Sequence, residues 1–362
     1  MEVKLRTLTP LWTGDVDRDS SRMKETGILG SLRSWYEAWV RAHGGYACDP
    51  TSDDRCVYKE SLNSICHVCR SFGCTGWSRK FKIEGTGLKT VTLFFVSSLS
   101  SNRWWLEKIS ENHHNACYGQ ASLKIIGLDK EVENTLLAIL WLIAEYGGLG
   151  AKSQNGFGQI RLENIDMNKV SDGFAKIREL VEEDARRIGN SLWQDFSNFF
   201  ILKFRIDEDN SIVQYYLSKP SNKFGPYYVG SPSTEWKKNF IPCSFDIRYK
   251  GEIQGRSFGL RNHLRFKKNY GKDIAEKLFG YSKSENRQGS RVFVSHLYKE
   301  SSDDKFYYLK VWGFVPKDVS TRVETPADFR RDVKEHIMDI FRLKESHVVI
   351  DKMGEELEEA LN

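Results

Sequence analysis

Apolar positions in the second half of the chain alternate in some runs and recur at helical spacing in others. Residues 199–206 read as a strand, a long irregular and basic stretch follows, and helical spacing returns over 258–268. Two β-rich runs come next, 291–298 and 306–315. Pro326 then opens a helix carried to Lys344 with Ile337, Ile340 and Phe341 on one face, and 346–350 is a last short strand. The order is βαββαβ.

The first half repeats that order with more decoration. Residues 3–9 form a strand, 28–43 a helix whose Leu29, Leu32, Tyr36, Trp39 and Val40 are spaced for one buried face, and 90–96 a strand. A weaker strand at 123–126, a strongly apolar helix over 132–146 and a closing strand at 157–162 complete it. Residues 44–82 are an insertion of Cys, Asp, Gly and aromatics, and 172–189 reads as an amphipathic helix joining the halves. The predicted class is α+β, with two ferredoxin-like (RRM-like) βαββαβ domains in tandem with insertions. The N-terminal domain spans 1–170, the connecting helix falls in 171–195, and the C-terminal domain spans 196–362. A degenerate repeat supports the division. Gly30-Ser31-Leu32-Arg33 and Gly255-Arg256-Ser257-Phe258-Gly259-Leu260-Arg261 mark the first helix of each half, and each precedes a Phe-Gly turn, Phe72-Gly73 or Phe279-Gly280.

A length of 362 residues fits two domains, and 40% hydrophobic with 13% aromatic residues excludes disorder, collagen and coiled coil. No run approaches the roughly 18 uninterrupted apolar residues of a membrane span, and the start MEVKLRTL lacks the apolar core of a secretory signal. A cytoplasmic protein without a membrane partner is expected. Net charge is only +5, yet residues 248–291 hold twelve Lys/Arg against four Asp/Glu. With Phe258, His263, Phe266, Tyr270, Phe279 and Tyr281 interleaved, that stretch has the character of a polyanion-binding face or, more plainly, of a solvated one.

Five of the seven cysteines crowd into residues 48–74. Cys48, Cys56 and Cys66-x-x-Cys69, with Cys74 and His67 beside them, contain one knuckle of a zinc site without the paired second knuckle. Metal, buried thiols and a disulfide all stay open, and no cofactor is assigned.

Residues 147–158, Gly-Gly-Leu-Gly-Ala-Lys-Ser-Gln-Asn-Gly-Phe-Gly, form the sharpest local signal. Nucleotide loops of the P-loop or dinucleotide type need a strand before the glycines and a helix after them, so that phosphate rests on the helix N-terminus. Here a helix precedes and a strand follows, which excludes both. A helix C-cap explains Gly147 and Gly148 but not the continuation. What remains is a flexible loop able to turn amides toward an anion, with Lys152 as a charge and Ser153, Gln154 and Asn155 as donors.

In a βαββαβ unit the loop into the first helix and the loop into the last strand lie at one end of the sheet. Lys24, Thr26, Gly27, Gly30, Ser31 and Arg33 should therefore face Gly150 and Lys152 across a groove suited to a phosphate chain. Candidates in the second half are Arg256, Arg261, His263, Arg265, Arg287, Gln288 and Arg291, with Trp35, Trp77 and Tyr281 as possible base platforms or core residues.

The run Glu25-Thr26-Gly27-Ile28-Leu29-Gly30-Ser31-Leu32-Arg33-Ser34-Trp35-Tyr36-Glu37-Ala38 resembles the N-terminal motif of the RAMP proteins of CRISPR systems, and 147–158 resembles their glycine-rich loop. Thr9-Pro10-Leu11-Trp12-Thr13-Gly14, Gly45-Tyr46-Ala47-Cys48-Asp49-Pro50 and residues 66–81 narrow the likeness to first subunits of type III-B Cmr effector complexes. The resemblance implies two ferredoxin-like domains, a place at one end of a ribonucleoprotein near the guide's 3′ portion, and no catalytic role. The implied partners are single-stranded RNA, crRNA and/or target RNA, and other Cmr subunits.

The enzyme alternative is a metal-independent endoribonuclease processing CRISPR RNA, which needs a paired acid and base. His43, His67 and His263 are eligible, none with a recognisable titratable partner, while His113 and His114 follow Trp104-Trp105 in a polar loop. A scaffold for acidic protein neighbours is the third reading, and the acidic end 351–362 reads as a solvated or partner-facing helix.

Overall fold

The computed structural model describes residues 1–14, 20–94, 115–183, 194–218, 228–229, 239–250, 252–253, 256–257, 259–281, 288–315 and 325–361. In the first half, β1 (Glu2–Thr7) is followed by α1 (Glu25–Ala42) and the short α2 (His67–Phe72). Then come β2 (Phe81–Thr86), β3 (Lys89–Phe94), β4 (Asn115–Tyr118), β5 (Gln120–Gly127), α3 (Lys130–Tyr146), β6 (Ile160–Glu163) and α4 (Met167–Glu182). The main sheet has the order β2-β5-β1-β6, every neighbour antiparallel. Leu5 sets the register, opposite Ala121 on one side and Leu162 on the other.

Period decides which face is buried. Val3 and Leu5 of β1 point inward, and Ile28, Leu32, Trp35, Tyr36, Trp39 and Val40 of α1 are buried against the sheet side. Asp129 caps α3 by accepting from the Val132 amide at 2.8 Å, and Asp166 caps α4 by accepting from Asn168 at 3.1 Å. Gly173 lets α4 close on α3, since a Cβ there would lie 2.2 Å from the Asn134 carbonyl oxygen.

The strand expected at 90–96 is not in this sheet. Its place is taken by β2, whose Phe81 and Ile83 are buried, so the insertion ends before residue 81 rather than at 82. Gly87, at φ +103°, turns the chain away, and β3 joins a separate sheet of order β4-β3-β8 with β8 at Tyr228–Val229. Residues 95–96 and 184–189 of the expected elements lie outside the described residues.

The second half runs β7 (Phe199–Asp207), α5 (Ser211–Ser218), β8, β9 (Phe240–Ile241), β10 (Glu252–Ile253), β11 (Arg256–Ser257), α6 (Leu260–Phe266) and α7 (Gly271–Phe279). It continues with β12 (Val292–Val294), β13 (Leu297–Tyr298), β14 (Phe306–Phe314), α8 (Pro326–Phe341), β15 (Val348–Met353) and α9 (Gly354–Leu361). The sheet order is β15-β7-β14-β13-β9, with β12 also on β14. The run expected at 291–298 is thus two strands, parted at Ser295-His296.

The halves share packing. Trp35 of α1 meets Phe199 and Phe314 at ring-centroid distances of 5.5 and 6.3 Å. Lys310 of β14 reaches the C-terminus of α3, donating to the carbonyls of Ala144 at 3.0 Å and Gly147 at 3.1 Å. These carbonyls are among the groups a helix end leaves unsatisfied.

Candidate nucleic-acid interface

The first turn of α1 and the glycine-rich loop meet at one end of the first sheet. Lys24 enters α1 in extended conformation with no side-chain cap on the first-turn amides. Ser31 Oγ donates to the Gly27 carbonyl at 3.2 Å and accepts from the Gly150 amide at 2.8 Å, tying the two segments together. Gly27, Gly30, Ser31, Gly150, Ser153 and Gln154 line a cleft of about 410 Å³. Besides Ser34, Gly148, Ala151 and Gln194, the rest of the lining is aromatic, with Trp35 of α1 and, from the second half, Phe293, Trp312 and Phe314. Thr26 is exposed at the same helix start.

Close approach explains the loop's glycines. Gly150 sits at φ +79° with a notional Cβ 2.4 Å from the Trp12 carbonyl oxygen, and the Ala151 amide donates to that oxygen at 2.7 Å. The loop then turns through Ser153–Asn155 onto the second half. A Cβ on Gly156 would stand 2.5 Å from Ser244 Cβ, the His296 amide donates to the Gly156 carbonyl at 3.3 Å, and Gln154 lies against Gly289. The continuation Lys-Ser-Gln-Asn-Gly is therefore a seam between the halves, with only its Ser153 and Gln154 also lining the cleft.

Two expected phosphate contacts are corrected by this geometry. Lys152 does not line the cleft, because its ammonium lies 3.1 Å from the centroid of the Trp12 ring and burial pushes its pKa down to about 7. Arg33 points elsewhere too. It donates to Glu37 Oε1 at 2.8 Å, the Gly73 carbonyl at 3.2 Å, Cys69 Sγ at 3.3 Å and Cys48 Sγ at 3.8 Å. Burial opposes its charge, but the Glu37 hydrogen bond and the Cys69 sulfur more than offset this and raise its pKa. Lys24 borders a separate cavity of about 440 Å³ with Arg22 and Gly85, and its amide donates to Thr13 Oγ1 at 2.8 Å.

Part of the basic stretch is engaged within the fold. Arg261 is buried with its guanidinium 4.7 Å from the Tyr249 ring, and Arg265 lies 4.7 Å over Phe266. His263 stacks on His336 at 3.8 Å, and burial lowers its pKa. Lys268 pairs with Asp332 at 2.7 Å and Glu335 at 3.0 Å, both acids of α8. Gln288, with its amide oxygen toward Arg291, accepts from Nη2 at 3.1 Å and Nε at 3.0 Å. Arg256 lies in β11, opposite Ile253, and Arg287 falls outside the described residues. None of these described candidates is among the residues that line the cleft, and Lys267, Lys272 and Lys277 of the same stretch are exposed.

Sequence reasoning missed Phe293. It is half-buried, lies opposite Trp312 in the β12–β14 register, and stacks on it at 5.5 Å and 16°. Pairing the runs 291–298 and 306–315 antiparallel would have placed both rings on one face. Of the aromatic candidates, Trp35 is core, Trp77 packs on Tyr58 at 4.9 Å within the insertion, and Tyr281 pairs with Gln288 through its backbone. His43 faces the Trp39 carbonyl at 3.0 Å and His67 the Leu180 carbonyl, both away from the cleft. Trp104, Trp105, His113 and His114 lie outside the described residues.

The four cysteines Cys48, Cys56, Cys66 and Cys69 come together with all sulfurs within 4.8 Å of one another. None of the four is joined in a disulfide in this structure.

Residues 4–161 match the RAMP superfamily. No curated protein matches the chain. Among solved structures it is similar to Cmr1 from Pyrococcus furiosus in the apo form, at 12% identity over 87% of this chain and 88% of that one, with a TM-score of 0.45. A chain of the type III-B Cmr-beta complex bound to cognate target RNA and AMPPnP in the presence of ssDNA is similar at 12% identity, covering 94% of this chain and 99% of that one, with a TM-score of 0.45. A chain of Cmr-beta bound to cognate target RNA follows at 12% identity, 93% and 99% coverage, and a TM-score of 0.42. No described helix is long and apolar enough to cross a membrane.

Proposed function

We propose, from a first half that belongs to the RAMP superfamily, that the chain is a non-catalytic subunit of a type III-B CRISPR effector ribonucleoprotein. It holds single-stranded RNA, the 3′ portion of the guide crRNA or its target, uncut in the cleft between α1 and the glycine-rich loop. One observation carries the reading: the Ser31–Gly150 hydrogen bond brings the uncapped first turn of α1 and the loop to one wall, opposite aromatic rings. Open helix amides suit a phosphate, and the half-buried face of Phe293 suits a base. Neither contact needs an acid, a base or a metal. The strand orders support reading each sheet as ferredoxin-like, with domains at 1–170 and 196–362 joined through 171–195. Other Cmr subunits are the protein partners.

Gly30 offers a clean test, because a Cβ there meets nothing within 4 Å. Gly30→Glu sets a carboxylate in the cleft and should weaken binding of a labelled single-stranded RNA at least about tenfold, while Gly30→Ala leaves it near wild type. Unchanged affinity in Gly30→Glu would remove the cleft from the RNA path. Metal-free cleavage of labelled RNA by the purified chain, abolished by replacing one of His43, His67 or His263, would overturn the non-catalytic assignment.

A further inference from the structure

Seven cysteines are spread over the chain, and four of them meet. Cys48 and Cys56 come from the loop after α1, Cys66 stands at the N-terminus of α2, and Cys69 lies in its first turn; all four are buried. The other three are not among the four: Cys74 neighbours Cys69, and Cys117 and Cys243 lie elsewhere. Cys74 is half-buried and faces the Thr75 carbonyl, Cys117 donates to the Ser20 carbonyl at 3.2 Å, and Cys243 is buried in the second half.

Sulfurs each about 2.3 Å from a central ion in a tetrahedron sit about 3.8 Å from one another. The four Sγ atoms lie within 4.8 Å of each other, and Cys48 and Cys69 are 3.4 Å apart. That spacing is far beyond the ~2.05 Å of a disulfide. Two further observations point to an ion. The Arg33 guanidinium directs Nη2 at two of these sulfurs, at 3.3 and 3.8 Å, and the Cys66 amide donates to Cys56 Sγ at 3.2 Å. Neutral thiols are weak acceptors, whereas the negative sulfurs of a metal tetrathiolate draw such donors into an outer shell.

The second observation concerns the insertion itself. Between α1 and β2 the only regular helices are α2 and a single turn at Leu62–Ser64. Yet Ile65, Cys66 and Val68 are wholly buried against the first half's core. A metal would staple this irregular segment to that core.

We propose that Cys48, Cys56, Cys66 and Cys69 bind one Zn²⁺ as a closed tetrathiolate centre, with Arg33 as its outer-shell cation. Each thiol releases its proton to solvent as the metal binds. Four protein ligands leave no open position, so the centre is structural: it fastens the insertion to the helix that lines the cleft. The site stands independently of what the cleft binds.

The test uses the full chain, purified without chelator from zinc-supplemented cells. Elemental analysis should give one zinc per chain, and exchange with Co²⁺ should give the thiolate-to-cobalt absorption and visible bands of a tetrahedral sulfur site. Cys74→Ser should keep both signals, and Cys66→Ser should lose them. Arg33→Ala should retain the cobalt spectrum while weakening zinc roughly 10- to 100-fold in chelator competition. Wild-type chain with neither zinc nor cobalt bands overturns the proposal, whether or not the cysteine variants fold. Stoichiometric iron overturns the zinc assignment, and loss of metal in Cys74→Ser overturns the ligand set.

Discussion

Both sheets set the closing strand beside the first strand and the first beside the third, yet the connection into the closing strand differs sharply between the halves. In the first half it is residues 147–158, with five glycines; in the second it is 342–347, with none. The first connection is crowded. Gly147 presses on the Trp35 ring, Gly150 on the Trp12 backbone, Gly156 on Ser244 and His296, and Gly158 on the Leu149 carbonyl. The second is exposed and uses Arg342 in the left-handed region, at φ +52°, to end α8. Glycine is thus demanded by close neighbours on top of a left-handed backbone at Gly150, Gly156 and Gly158: left-handed φ alone tolerates an arginine where nothing crowds the backbone.

The sharpest way to break that comparison is Gly158→Val. At φ +78° its Cβ would lie 2.0 Å from the Leu149 carbonyl oxygen, so the change should cost on the order of 4 kcal/mol in urea denaturation. A cost below about 1 kcal/mol would show that the loop is loose.

Next is acid. His296, seated between Phe157 and Phe240, accepts from the Ser244 amide through Nδ1 at 3.2 Å, and burial pushes its pKa from 6.5 down to about 3. The folded chain stays neutral there while the unfolded chain takes a proton. This contribution is fully present above pH 6.5 and is lost as pH falls toward 3. Stability should drop by about 3 kcal/mol between pH 6.5 and 4, and His296→Phe should flatten that slope in denaturation series.

Lys310→Met removes the second half's hold on the end of α3 and should cost about 2 kcal/mol by thermal unfolding, because the α3 carbonyls lose a buried donor. The smallest effect is of opposite sign. Arg342→Gly relieves a left-handed non-glycine residue and should stabilise by about 0.5–1 kcal/mol in the same melt.

Periodicity carried the legible part of the fold. α1, α3 and α8 bury continuous faces, and those faces are visible as spacing in the chain. The shifted strand was not, because the apolar pattern pointed to 90–96 and the turn at Gly87, which sends 89–94 to another sheet and leaves 81–86 in this one, shows only in the structure. At the site, the meeting of 27–31 with 148–154 follows from strand order and was readable. Charge destinations were not. Lys268 finds acids more than sixty residues onward, Arg33 turns to sulfurs, and Lys152 folds over Trp12; composition counts cations without showing what neutralises them. The sulfur cluster was half legible: Cys48, Cys56, Cys66 and Cys69 were the metal candidates, but their meeting was not readable, since Cys48 and Cys56 reach the knuckle only after the insertion folds back on α1.

The ammonium of Lys310 acts as a plug set in the end of a neighbour's helix, and Trp35 beds among rings supplied from across the chain. Severing the polypeptide between residues 171 and 195 would leave one fragment with an unstoppered helix and the other with a stranded cation. Co-expressed, such pieces should reassemble on each other; expressed singly, neither is a finished object.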